Sequence, residues 1–419
     1  MRDLLYLYAA RAARGFGDGF AAIILTAYLL ELGNTPFQVG VVATAALLGS
    51  AVLTLAIGLL GNRYPVRRFL LTCAGLMVVT GLAFPNLSHF VWFVAIAFIG
   101  TINPTTGDIG VHVPLEHATL AQRVSDQERT RIFARYSLIG ALAIAAGSLA
   151  AGLPDILQMR GMTTIHALQT MFYIYAALGL VGAAFYALLP PHSKDHHKAP
   201  AGPLGPSRFT VYKLAALFSL DSFAGGFTVQ SLLALWLFEK FELSLGTASA
   251  FFFWSNLFSA FSYPVAAWLG KRFGLINTMV FTHIPSSICL IVAAFVPNLT
   301  IVLGLLLIRS ALSQMDVPTR TSYVMAVVTP DERTAAASIT AVPRSLASAI
   351  SPTISGALLS ASFLALPLLC CGVLKIAYDL SLLYAFRHIK PPEERDEPAP
   401  NNSNQRKKTP LLQKGSDHV

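Results

Sequence analysis

Gly58-Leu59-Leu60-Gly61-Asn62-Arg63-Tyr64-Pro65 returns about 200 residues later as Ala267-Trp268-Leu269-Gly270-Lys271-Arg272-Phe273-Gly274. Three further pairs keep nearly the same separation. Phe84-Pro85-Asn86-Leu87-Ser88 returns as Val296-Pro297-Asn298-Leu299-Thr300. Ser125-Asp126-Gln127-Glu128-Arg129-Thr130 returns as Thr329-Pro330-Asp331-Glu332-Arg333-Thr334, and Asp108, inside an apolar stretch, has a counterpart in Asp316. Self-similarity at so long a period marks a duplicated architecture: two parallel, pseudo-symmetric halves with a site where they meet.

Between the repeated stretches the chain is apolar. Hydrophobic residues make up 54% of 419 and charged residues 12%, about half the charge share of a soluble globular chain. Runs of about 20 apolar residues, enough to cross a hydrocarbon core of roughly 30 Å, fall near 4–32, 37–61, 67–85, 89–115, 133–153, 165–189, 210–238, 246–269, 275–296, 299–327, 335–361 and 365–387. They lack the alternation of a membrane β-strand, so the backbone satisfies its own polar groups as helices. The expected fold is therefore an all-α integral membrane protein of twelve transmembrane helices. Its expected division is a six-helix half over 1–190, a cytosolic linker over 191–209, a second half over 210–387 and a disordered tail over 388–419.

Basic residues set the orientation. With both termini inside, the inner loops hold Arg63, Arg67, Arg68, Arg123, Arg129, Arg131, Lys194, Lys198, Arg208, Lys271, Arg272 and Arg333, against Arg160 and Lys240 outside. The net charge of +9 thus reports topology and a basic tail. It gives no reason to expect nucleic acid as a partner. Leu4 onward is too long for a cleavable signal and is interrupted by Arg11, Arg14 and Asp18. Cys73, Cys289, Cys370 and Cys371 all fall in predicted spans and read as structural thiols, since neighbours on a helix face different directions. No metal, cofactor or enzymatic chemistry is expected: there is no nucleotide-binding loop and no metal-ligand spacing. Short outer loops and compact length point to a bacterial inner membrane, and a monomer is expected.

At the loop after the second helix the chain resembles the major facilitator superfamily, whose pattern there runs Gly-x-Leu-x-Asp-Arg-x-Gly-Arg-Arg. Here it reads Gly58-Leu59-Leu60-Gly61-Asn62-Arg63-Tyr64-Pro65-Val66-Arg67-Arg68, and the second half repeats it through Lys271, Arg272 and Gly274. The resemblance covers about residues 4–387. It implies a transporter whose helices one, four, seven and ten line a central cavity, and a loop that latches one conformational state. Asn62 and Lys271 replace the family's Asp and Pro65 its Gly. The glycines are expected to let helices approach and the arginines to anchor inner helix ends. Helix four lacks the Arg usual in drug–proton antiporters, and Ser351-Pro352-Thr353-Ile354-Ser355-Gly356 lies in helix eleven where such proteins place a Gly-Pro motif in helix five.

Charges in the lining helices have a cost of about 2.5–3.5 kcal/mol each on insertion scales, so they tend to carry a role. They are Arg11, Arg14 and Asp18 in helix one, Asp108, His112 and Glu116 in helix four, Asp221 in helix seven, and Arg309, Asp316 and Arg320 in helix ten. If helix four is regular, Asp108, His112 and Glu116 share one face. Two readings stay open: an inner gate pairing Arg11 or Arg14 with Asp108 or Glu116 and Arg320 with Asp316, or proton coupling through Asp108 or Asp316, with His112 as a relay. Pro104 and Pro318 flank these acids in the two halves, which points to a binding site there. Asn103, Thr106, Gln230, Gln314 and Thr319 are the expected cargo contacts. The sequence thus implies a small-solute transporter working by alternating access, proton-coupled, with export preferred to uptake. A non-transporting receptor on the same fold is the alternative from another class.

Overall fold

The structure, a computed structural model, describes residues 2–60, 64–105, 110–121, 126–190, 205–329 and 332–388. All its regular structure among those residues is helical. The first half holds α1 (Arg2–Glu31), α2 (Pro36–Leu60), α3 (Val66–Ala83), α4 (Phe90–Ile99), α5 (His112–Ala121), α6 (Asp126–Ala150), α7 (Leu153–Met159) and α8 (Thr164–Ala187). The second holds α9 (Arg208–Gly226), α10 (Gln230–Phe241), α11 (Leu245–Phe273), α12 (Leu275–Phe295), α13 (Leu299–Ser313), α14 (Asp316–Val327), α15 (Arg333–Ser360) and α16 (Leu366–Phe386).

Among the described residues, seven stretches are long and apolar enough to cross a bilayer; they are built on α1, α2, α3, α6, α8, α12 and α16. Three expected crossings are interrupted instead. The run at 89–115 is split into α4 and α5, so the single regular helix that would put Asp108 on one face with His112 and Glu116 does not form. Gly100 closes α4 in extended geometry, Pro104 withholds a donor, and Gly110 sits at φ 156°. The run at 210–238 breaks between Gly226 and Gln230, and that at 299–327 at Gln314-Met315. Proline alone does not break a helix here: Pro264, Pro285, Pro343 and Pro352 lie inside continuous helices. Pro318 sits in the first turn of α14, where its missing N–H is not needed.

Packing repeats the duplication seen in the sequence. In the first half α1 packs on α6 and α8, α3 on α8, and α2 on α4. In the second, α9 packs on α15 and α16, α12 on α16, and α11 on α13, which is the same set of neighbours shifted by one half. The halves meet along α2 with α15 and along α6 with α11. Gly40 and Gly356 make the first of these close: a Cβ at Gly40 would run into the Pro352 carbonyl, so only hydrogen fits.

Among the described residues, several polar contacts join the halves toward the end of the bundle away from the termini. Thr26 donates to the Ser231 carbonyl at 2.9 Å, and the Ser231 amide to the Pro104 carbonyl at 3.0 Å. The Phe37 amide donates to Ser360 Oγ at 2.7 Å, Thr353 Oγ1 to Thr44 Oγ1 at 2.8 Å, and the Gly246 amide to Asp155 at 2.7 Å.

Candidate functional site

Each half buries one arginine between two carboxylates. In the first half it is Arg14 on α1, 2.7 Å from Glu116 on α5 and 3.5 Å from Asp18 one turn along its own helix. In the second it is Arg320 on α14, 3.0 Å from Asp221 on α9 and 3.0 Å from Asp316 one turn along its own helix. The arginine has changed places. The first half carries it on its first crossing, the second on its fourth, and the partner acid moves the other way.

The first-half cluster is closed. Glu116 is fully buried and takes hydrogen bonds from Arg14, from Tyr136 and, at 2.6 Å, from Tyr186. Arg11 lies beneath it, 5.1 Å over the Tyr136 ring and against Gly140, where a Cβ would collide with the guanidinium. His112 is buried at the start of α5 and, with Arg14, Asp18 and Asn103, lines a cavity of about 20 Å³, room for a single water.

The second-half cluster opens onto a cavity of about 400 Å³. Asp221, Asp316, Arg320, Arg309, Gln230 and Gln314 line it, with Thr105 from the first half. The network reaches further than the four lining helices of the family expectation. Lys375 on α16 lies 2.6 Å from Asp221, and its ammonium is 3.3 Å from His283 Nε2 on α12. His283 Nδ1 in turn lies 3.1 Å from Asp379. Lys375, His283 and Asp379 were missed because they sit in helices nine and twelve. The intramembrane-charge argument that found Asp221 applies to them equally and would have found them.

The remaining expected residues fall as follows. Asp108 and Thr106, with Asn62 and Arg63, lie outside the described residues. Asn103 accepts from the Thr105 amide at 3.0 Å, inside the interruption. Thr319 turns its hydroxyl back to the carbonyls of Met315 and Asp316, away from the cavity lining. Arg67 donates to the Ala187 carbonyl at the end of α8, a helix-end anchor. Arg68 and Lys271 are exposed, and Arg272 lies over the rings of Trp268 and Phe273. Gly274 links α11 to α12 at φ 87°, ψ 158°. Gly58 serves no close approach: a Cβ there meets nothing within 4 Å, because α2 is exposed at that end. Among the described residues no group of three or more His, Cys, Asp or Glu is arranged to hold a metal ion.

Comparison with known proteins agrees with this architecture. An uncharacterized membrane protein of Saccharomyces cerevisiae, YJR124C, is 23% identical over 424 residues, covering 92% of this chain and 94% of that protein. The nucleoside transporter NupG, in a point-mutant form, superposes with a TM-score of 0.75 at 13% identity, covering 92% of this chain and all of that one. A bacterial homolog of the human lysosomal transporter Spinster, inward-facing and occupied, gives 0.68 at 15% identity over 91% of this chain and 94% of that one. The family profile of the Major Facilitator Superfamily matches residues 7–220 and again 214–416, once per half. The chain is a multi-pass membrane protein that belongs to the Major Facilitator Superfamily of transporters.

Proposed function

We propose that the protein carries a small organic solute across the bilayer by alternating access, coupled to protons, with export as its working direction. The observation that carries this reading is the central cavity of about 400 Å³, walled by a network of ion pairs and sealed at the far end by contacts between halves. Apart from the Gly246 amide on the Asp155 carboxylate, those contacts are single hydroxyl and backbone hydrogen bonds, which exchange for water without stranding buried charge. In this reading residues 1–190 and 210–387 rock as two units joined by 191–209, with 388–419 as a cytosolic tail. The chain works as a monomer, since each half finds its symmetry partner within the same chain. The basic bias of the loops puts both termini in the cytosol, so the cavity faces inward. The yeast relative shows that compact length does not itself mark a bacterial inner membrane, and no host membrane enters the proposal.

Asp316 is the coupling acid in this scheme. Asp221 is held by both Arg320 and Lys375, whereas among the described residues Asp316 has an ion pair with Arg320 alone, shared with Asp221. When Arg320 turns wholly to Asp221, Asp316 is left without its guanidinium partner, and that is the step at which this scheme has it take up a proton. Arg344 also lines this cavity. The measurement is proton flux in proteoliposomes loaded with a pH dye and challenged with a solute panel. Solute-driven flux in the wild type, abolished in Asp316→Asn while solute counterflow persists, is the expected result. Unchanged flux in Asp316→Asn removes Asp316 from the coupling step. Counterflow with no proton movement in the wild type moves the reading to facilitated transport.

A further inference from the structure

The charges around the large cavity do not balance. Four cations line it, Arg309, Arg320, Arg344 and Lys375, against two carboxylates, Asp221 and Asp316. Arg320 and Lys375 are consumed by those two acids. Arg309 and Arg344 are left over. Both are half-buried, and neither makes an ion pair or side-chain hydrogen bond to a described residue. Arg309 lies midway along its crossing, near Cys371 and Cys289. Arg344 stands near Arg320, Asp221 and Asp316 without an ion pair to either acid. A guanidinium in a membrane interior without a carboxylate is costly to maintain, and its planar donor fork matches an acid group.

We propose that the second-half cavity is a site for an organic anion, a carboxylate or phosphate ester, whose acid group is taken by Arg309 and Arg344. This rests on the transporter reading above and names its cargo class. The rest of the wall suits the neutral part of such a solute. Gln230, Gln314, Asn256 and Ser310 offer amides and hydroxyls, and Phe252 and Tyr263 offer ring faces. The volume of about 400 Å³ lies within the usual size of small-molecule sites. Binding of the anion brings the cavity close to neutrality. A cationic cargo would deepen the imbalance already present.

The test uses the purified full-length chain and a yeast small-molecule extract split by ion exchange into anionic, neutral and cationic fractions, read by thermal stabilisation. The anionic fraction is expected to raise the melting temperature and the other two to leave it unchanged. The Arg309→Gln, Arg344→Gln double variant should need about tenfold more of that fraction, the effect of losing a charge-assisted hydrogen bond, and Arg344→Lys should restore part of the response. Without ligand, Arg309→Gln should melt no lower than wild type, because it strands no acid; a clear drop makes the guanidinium structural and overturns the site. An anion response that survives intact in the double variant also overturns it. Protection by the cationic or neutral fraction alone sinks the anion class and leaves the transporter reading standing. Absence of protection by the anionic fraction overturns the site, and if solute counterflow in proteoliposomes is absent too, the transporter reading falls with it.

Discussion

Glu116 illustrates what one buried side chain does in this bundle. It has no exposed surface and collects Arg14, Tyr136 and Tyr186, drawing α1, α5, α6 and α8 to one point. Removing one partner of a buried pair is far worse than never having built it, because the surviving charge loses its compensation. Glu116→Gln should therefore cost about 3–5 kcal/mol of folding stability, while Tyr186→Phe, which removes one hydrogen bond to a charged acceptor, should cost about 1.5–3 kcal/mol. Unfolding titrations of both variants in detergent check the order. A Glu116→Gln protein as stable as wild type would leave the cluster without its bracing role. The acids and arginines of this cluster were readable from sequence, since charge inside an apolar run is conspicuous. Their pairing was readable only as alternatives, because Arg11 and Arg14 occupy the same helix and depth alone does not choose between them. Lys375, Asp379 and His283 were hidden by looking only where the family places its cavity.

At the scale of elements, two glycines of the repeated loop do different work, Gly58 standing opposite Ala267 in the repeat and Gly274 opposite Pro65. Gly274 holds φ 87°, ψ 158°, a region that only glycine enters without strain of about 1–3 kcal/mol. Gly58 lies in the last turn of a regular helix with open space around it. Alanine should thus act in opposite directions: Gly274→Ala destabilises by about 1–3 kcal/mol, and Gly58→Ala is neutral or stabilises by about 0.5–1 kcal/mol. Equal melting shifts in the two variants would show that the turn is not what requires Gly274. Glu332 also has a concrete task. Its carboxylate takes the Thr329 hydroxyl at 2.7 Å and the Ser207 and Gly205 amides, fixing the start of α9 to that of α15. The Thr329 hydrogen bond, with those of Ser207 and Gly205, holds the Glu332 carboxyl down to about 2. A lowered acid stabilises the fold above its ordinary pKa and loses that contribution as pH falls toward 2, so this clasp stays closed across the physiological range. The interruption near Pro104 was legible, because proline and glycine stand beside an acid there. The break between Gly226 and Gln230 was not: it carries no proline, and only Gly225-Gly226 hints at it.

For the whole molecule, duplication in the sequence predicted duplication in packing, and the neighbours of α1 through α8 do recur among α9 through α16. What a repeat cannot convey is which end is shut, since both ends are built from equivalent helices. The far-end contacts answer that for this state, and they also supply the means to test it. Thr44 on α2 and Thr353 on α15 belong to opposite halves, with hydroxyls 2.8 Å apart. Cysteines there replace those oxygens with sulfurs that need to close to about 2.05 Å, a small adjustment. In a background with Cys73, Cys289, Cys370 and Cys371 replaced, Thr44→Cys, Thr353→Cys should cross-link under mild oxidation and stop transport. Reducing agent should restore it. While the link is closed, a cysteine placed at Ser345 on the cavity wall should still react with a membrane-impermeant thiol reagent added from the side of the termini. Transport that continues through the cross-link would mean that α2 and α15 need not part. The cycle would then run by movement within the halves, through the interrupted crossings α4–α5, α9–α10 and α13–α14, instead of rocking one half against the other.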